Sequence, residues 1–274
     1  MGLDTYEAYE HQYVKSSNKP YFPPTQSHRR HPFTAFVRVQ LRMRLGLRPE
    51  IRACLFDLDG VLTQTAKVHA QAWKQLFDPL LPPDHPFDPI TDYDEYVDGK
   101  PREDGVRSFL ASRNITPTED EVHELATRKD HLFLDLIHQH GVATYESSIR
   151  YVQEAKAAGL KVAVVSSSKN TTEVLRAAKI DNLFDAQVDG NTAEREHLKG
   201  KPSPDTYLHA AHLLSTTPKE AAVYEDALAG VSAGRAGGFG LVVGIDRVGQ
   251  AEELRKHGAD IVVKDLAELM TKLT

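Results

Sequence analysis

Two aspartates one residue apart, Asp57 and Asp59, close the apolar run of ACLFDLDGVLTQT and stand directly before Gly60. Side chains alternate along an extended chain, so positions two apart share a side, and a glycine lets the backbone turn away at once. The pattern presents two carboxylates together at the end of a strand. Such a pair can exchange protons with a bound molecule or hold a hard cation. An Asx turn that only closes the strand is the plainer alternative. Three further groups shift the balance toward chemistry. VVSSSKN offers hydroxyls and amides, Lys201 sits between Gly200 and Pro202 in GKPSPD, and VYEDA ends in Glu225 and Asp226.

These groups follow short β-branched runs at 52–56, 161–166, 186–189, 221–224, 240–245 and 260–263, most succeeded by a helical pattern such as 171–178 or 205–214. Near-continuous apolar strands alternating with helices predict an α/β fold, a doubly wound parallel sheet core covered on both faces. Between 66 and 144 the patterns are helical throughout, at 66–77, 102–112 and 119–140. Because this stretch interrupts the α/β unit after its first strand, it predicts an inserted all-helical cap over the carboxyl end of the sheet. The expected division is an irregular basic extension at 1–47, a core at 48–65 and 145–274, and a cap at 66–144.

With 274 residues, 41 % hydrophobic and 26 % charged, the chain has an ordinary globular balance and enough apolar surface for one large or two modest domains. No apolar run approaches the roughly 18 residues of a bilayer-spanning helix, so no membrane partner is expected. A single cysteine, Cys54, and thirteen histidines without CxxC or HExxH spacing argue against a zinc or redox site. Residues 1–50 carry a net +4, which leaves −10 for the rest of a chain whose formal charge is −6, and an acidic body without a basic stripe makes nucleic acid a poor partner. The first 33 residues show no sustained periodicity, whereas FVRVQLRMRLGLR fits a short amphipathic strand or helix laid against the body. The start has no apolar h-region, is too acidic for a presequence, and places Tyr6 where a myristoylation pattern needs Ser or Thr, so a cytoplasmic chain is expected. The glycine-rich GRAGGFG precedes a strand rather than joining strand to helix, and reads as a turn, not a dinucleotide site.

Taken in order, FDLDGVLT, the serine ending the second strand, the lysine of GKPSPD and the acids of VYEDA resemble the four motifs of the haloacid dehalogenase superfamily, over residues 50–274. TAKVHAQAWK, VDGKPREDGVRSFL and SSSKN are similar to its β-phosphoglucomutase subgroup. The resemblance implies a phosphosugar mutase acting between C1 and C6 of a hexose, or a sugar-phosphate phosphatase on the same core. It implies Asp57 as the nucleophile, Asp59 as general acid and base, and Ser166 and Lys201 as holders of the transferring phosphoryl group. A phosphate dianion repels an anionic nucleophile unless cations offset the charge. Mg²⁺ is the implied cofactor, held by the Asp57 side chain, the Asp59 carbonyl and Asp226, with Glu225 alongside.

For the substrate, the expected contacts are His69, Trp73, Lys100, Arg102, Lys129, Ser168, Lys169 and Asn170. His69 and Trp73 lie four apart on one helix face, which equally suits core packing. Lys100 and Arg102, in a turn leading into a helix, could grip a second phosphate. Lys129, beside Arg128, equally suits an exposed face. Gln64 and Gly105 depart from the acid and the serine that many relatives carry. The partner expected is a small sugar phosphate, bound by a monomer. Asp57→Asn is expected to keep the fold and lose at least ~10²-fold in turnover, since an amide is a poor nucleophile and a weak cation ligand. Steady-state assay of the purified variant checks this; more than a tenth of wild-type activity would overturn the assignment.

Overall fold

The computed structural model describes residues 32–270, with side chains from residue 37 onward. Six strands form one parallel sheet in the order β3-β2-β1-β4-β5-β6. They are β1 (Ala53–Phe56), β2 (Lys161–Val165), β3 (Ala186–Val188), β4 (Ala221–Glu225), β5 (Leu241–Ile245) and β6 (Ile261–Val263). Ten α-helices accompany them among the described residues. In chain order these are α1 (Pro32–Arg44), α2 (Ala66–Phe77), α3 (Arg102–Ser112), α4 (Glu119–His140), α5 (Glu146–Ala157), α6 (Thr171–Ala177), α7 (Gly190–Arg195), α8 (Asp205–Leu213), α9 (Leu228–Ala236) and α10 (Ala251–His257). None is long and apolar enough to cross a membrane.

The residues of β1 show why the sheet is covered on both sides. All four are buried, and they alternate between two apolar clusters. Cys54 and Phe56 join Tyr151, Val152 and Ala155 of α5 and Val174 of α6. Ala53 and Leu55 join Tyr207, Ala210 and Ala211 of α8 and Val231 and Ala233 of α9. From β1 the chain pairs with β2 on one side and β4 on the other. This is the reversal of strand order at which open α/β sheets leave a crevice beyond the carboxyl ends of their strands.

The inserted helices α2, α3 and α4 match the expected patterns and bury a cluster of their own around Trp73, Phe77, Phe87 and Phe109. Phe77 and Phe109 lie 4.2 Å apart between ring centroids. Two crossing segments join this unit to the sheet. Gln64 N donates to the Ala143 carbonyl at 2.8 Å and Tyr145 N to the Leu62 carbonyl at 2.9 Å, beside a Thr63–Thr144 bridge.

The expected irregular extension is corrected over its second half. Residues 1–31 lie outside the described residues, but 32–44 form α1, which packs against α5. Leu45 and Leu47 are both 3 % exposed. The Leu45 carbonyl accepts the Tyr151 hydroxyl at 2.7 Å, and Arg48 donates to the Gly240 carbonyl. The alternation of leucine with arginine in this segment is therefore the pattern of an amphipathic piece seated on the core. Residues 1–45 carry no motif residue and are expected to be dispensable for the chemistry. A chain starting at Arg48 is nevertheless expected to lose stability, because each buried leucine removed costs about 2–5 kcal/mol. Urea denaturation against the full chain, with catalytic efficiency measured alongside, checks both halves; a folded but inactive chain would show that this arm reaches the site.

Candidate active site

The carboxyl ends of β1, β2 and β4 place Asp57, Ser166 and the Glu225–Asp226 pair at one crevice. Asp57, Asp59, Ser166, Lys201 and Asp226 line a cavity of about 970 Å³ together with His69, Trp73, Asp98, Lys100, Arg102 and Lys129. The sheet-side residues are thus brought together with the residues expected on the inserted helices.

Lys201 is 2 % exposed. Its ammonium donates to Asp57 Oδ1 at 2.5 Å, Glu225 Oε1 at 2.5 Å and the Val165 carbonyl at 3.2 Å. All three of its N–H groups are thereby satisfied. Burial works against its charge, but Asp57 and Glu225 outweigh burial and hold its pKa well above the ordinary lysine value. Glu225, fully buried, also accepts the Tyr207 hydroxyl at 3.0 Å and the Ala227 amide at 3.0 Å. It is therefore a holder of Lys201, and its oxygens are largely engaged before any ion arrives.

Carboxylate oxygens of Asp57, Glu225 and Asp226 lie within 4.8 Å of one another. Burial pushes Asp57 and Asp226 well above the usual carboxylate range. Mutual repulsion adds to it, from Glu225 and Asp59 on Asp57, and from Asp98, Glu225 and Asp57 on Asp226. An all-oxygen donor set with more negative charge than Lys201 can balance fits a hard divalent cation. Gly60, at φ +83°, makes the crowding possible, since a Cβ there would collide with the Asp226 carboxylate.

Asp59 stands in different surroundings. Burial alone would raise its pKa, but His69, Thr65 and Lys129 outweigh burial and hold it below the usual range. Thr65 Oγ1 donates to Asp59 Oδ1, and His69 Nε2 lies 3.5 Å from the same oxygen. Lys129 Nζ lies 2.5 Å from His69 Nδ1. An ammonium or amine donating to Nδ1 leaves the ring proton on Nε2, facing Asp59.

Lys129 is not on an exposed face. It is 3 % exposed, with Nζ 5.1 Å from the Trp73 ring centroid and 5.0 Å from that of Phe133. Burial, with the Arg102 charge nearby, lowers its pKa to about 7. Lys100, expected to grip a phosphate, instead donates to the Glu95 and Tyr96 carbonyls and to Ser108 Oγ, at 3.3, 2.9 and 2.9 Å. It fastens its own turn. Lys169 ends on Glu194 at 2.8 Å, at the exposed rim. Trp73 is both a packing and a cavity residue, and its ring lies 3.1 Å from where a Gly105 Cβ would be. Gln64 donates to the Thr144 carbonyl in the crossing segment.

After β2, Ser166 Oγ accepts the Ser168 amide at 3.0 Å, and Ser168 Oγ accepts the Asn170 amide at 3.1 Å. The sequence reading missed Ser167, whose hydroxyl donates to the Gly99 carbonyl at 2.8 Å. It also missed Thr65 and Asp98. Asp98 is raised to about 7 by burial and by Glu225, Asp94 and Asp59, with a Tyr93 hydrogen bond opposing. Only its place two residues before Lys100 in VDGKPRED could have marked it.

The profile of haloacid dehalogenase-like hydrolases matches residues 51–238. The β-phosphoglucomutase of Mycobacterium bovis is 52 % identical over 246 residues, spanning 82 % of this chain and 94 % of that protein. That of Bacillus subtilis is 36 % identical over 226 residues, spanning 81 % and 93 %. The crystal structure of a Clostridium difficile β-phosphoglucomutase superposes with a TM-score of 0.65 at 27 % identity, covering 80 % of this chain and 93 % of that one.

The buried lysine sets a pH dependence. Between about 7 and the ordinary lysine value near ~10.4, the unfolded chain binds a proton that the folded chain lacks, so stability rises with pH in that window. Lys129→Met is expected to raise Tm by roughly several degrees near neutral pH and to flatten that rise. Thermal melts across the window check it; an unchanged slope would show that Lys129 keeps its charge.

Proposed function

The chain belongs to the haloacid dehalogenase-like hydrolases, in their β-phosphoglucomutase-like subgroup, and from that premise we propose a Mg²⁺-dependent phosphosugar mutase. It interconverts hexose 1-phosphate and hexose 6-phosphate. The observation that carries this reading is one cavity lined by two sets of phosphate-handling groups. Asp57, Ser166 and Lys201 line it for the transferring phosphate, and Arg102, Ser168 and Asn170 line it for a second one. A hexose bisphosphate needs both.

In this reading Asp57 attacks the phosphorus and forms an aspartyl phosphate. Asp59 gives a proton to the departing sugar oxygen and later takes one from the hydroxyl that receives the phosphoryl group. The His69–Thr65 pair favours its ionised form between these events. Lys201, charged at any physiological pH, and Ser166 hold the transferring group. Asp57, Asp226 and the Asp59 carbonyl would hold Mg²⁺, which supplies charge neutralisation for an anionic nucleophile meeting an anionic phosphate. Between the half-reactions the bisphosphate presents its other end to Asp57, and Arg102 receives whichever phosphate is distal. The small-molecule partner, a monomeric chain and a cytoplasmic site of action go with this reading.

β- and α-glucose 1-phosphate, each with a trace of glucose 1,6-bisphosphate, are expected to separate by anomer, with glucose 6-phosphate formed and little free phosphate released. Stoichiometric phosphate without isomer would replace the mutase by a phosphatase. Arg102→Ala is expected to slow isomerisation by about 2–4 kcal/mol in activation free energy, the cost of a lost charge-stabilising group. Acetyl phosphate, which carries no second phosphate for Arg102 to hold, should lose far less; equal losses would mean that Arg102 only supports the fold.

A further inference from the structure

One carboxylate joins the two distal-phosphate residues from behind. Asp130, on α4, receives Arg102 Nη2 and Asn170 Nδ2 on the same oxygen, Oδ1, each at 2.6 Å. Arg102 opens α3 and Asn170 directly precedes α6, so this single atom ties the inserted helices to the sheet domain. Arg102 and Asn170 both line the cavity, whereas Asp130 is not among its lining residues. The carboxylate therefore stands behind its two donors.

We propose that Asp130 is the positioning residue of the distal-phosphate site, fixing Arg102 and Asn170 in the orientation that a phosphate monoester meets. The inference rests on the mutase reading for the identity of the ligand. A guanidinium carries five donors in a fixed fork. Asp130 and a 3.4 Å contact to the Ala126 carbonyl engage one each of two nitrogens, leaving N–H groups for a second anion. Asn170 likewise keeps a second amide hydrogen. Without the carboxylate, a long arginine side chain has many rotamers to lose on binding, a loss otherwise met during folding. Asp130 also offsets the repulsion between Arg102 and Lys129, whose charges oppose each other across this corner. A carboxylate contacting donors from both units further means that the phosphate site is complete only when the two are together.

The test is the inhibition constant of glucose 1,6-bisphosphate against acetyl phosphate hydrolysis, for wild type, Asp130→Asn and Asp130→Glu. Asp130→Asn is expected to weaken inhibition at least tenfold, and Asp130→Glu, which restores the charge, to recover most of the loss. Thermal melts of both variants separate positioning from folding. An Asp130→Asn constant within twofold of wild type would overturn the proposal. So would tighter inhibition, which would mean that the carboxylate competes with phosphate for Arg102. A loss in both variants that follows their melting temperatures would reduce Asp130 to a structural tie. Isomerisation of β-glucose 1-phosphate by the wild type is measured beside these. Its absence would sink the mutase reading, while the inhibition constants would still decide the role of Asp130.

Discussion

A buried ammonium between two buried carboxylates is the interaction on which the site depends. Taking such charges out of water is expensive unless geometry and hydrogen bonding are nearly complete, and around Lys201 they are. Its three donors are used, and Glu225 is further held by Tyr207 and the Ala227 amide. The backbone conforms to the same demand, since a Cβ at residue 230 would run into the Glu225 carboxylate. Asp57 can thus be pinned, buried and aimed while Asp226 remains beside it with its charge unbalanced.

What could be read from the amino acids was the part encoded locally. A strand ending in DLDG, a lysine between glycine and proline, and ED after VVY each carry their chemistry within a few residues. The balance between Lys100 and Lys129 was not of that kind. Both are lysines near an arginine, one in a turn before a helix and one within a helix, yet the first folds back on its own carbonyls and the second enters a box of Trp73, Phe133 and His69. Only packing separates them. Ser167 and Asp130 were invisible for a related reason, because their partners lie 68 and 28 to 40 residues away and no spacing rule links them. The alternation in FVRVQLRMRLGLR already marked an amphipathic piece against the body, but not that Leu45 and Leu47 would enter the core, so the segment was wrongly counted with an irregular extension.

The inserted helices and the sheet meet along a seam made of small groups. Gly99, at φ +69°, approaches Ala227 so closely that a Cβ would fall 2.9 Å from the alanine methyl, and its carbonyl accepts from Ser167. Gly200, next to Lys201, leaves no room for a side chain against Pro101. The turn that carries Asp98 and Arg102 therefore rests on the loops that carry Ser166, Lys201 and Asp226.

The central position of β1 has a consequence for how the protein comes into being. Phe56 pairs with Val164 and Tyr224, so the first strand made is flanked by strands from much later in the chain. At synthesis rates of about 5–20 residues per second, β1 waits roughly ten to thirty seconds for β4 to be made. Both edges of this fully apolar strand are open until β2 is made, and the β4 edge stays open for the whole interval, the condition that invites pairing with other chains. The inserted helices, whose apolar cluster lies wholly within residues 70–126, are synthesised whole in the meantime. Newly made chains therefore pass through a stage in which the inserted helices are complete but the carboxylate cluster, which needs Glu225 and Asp226, is not.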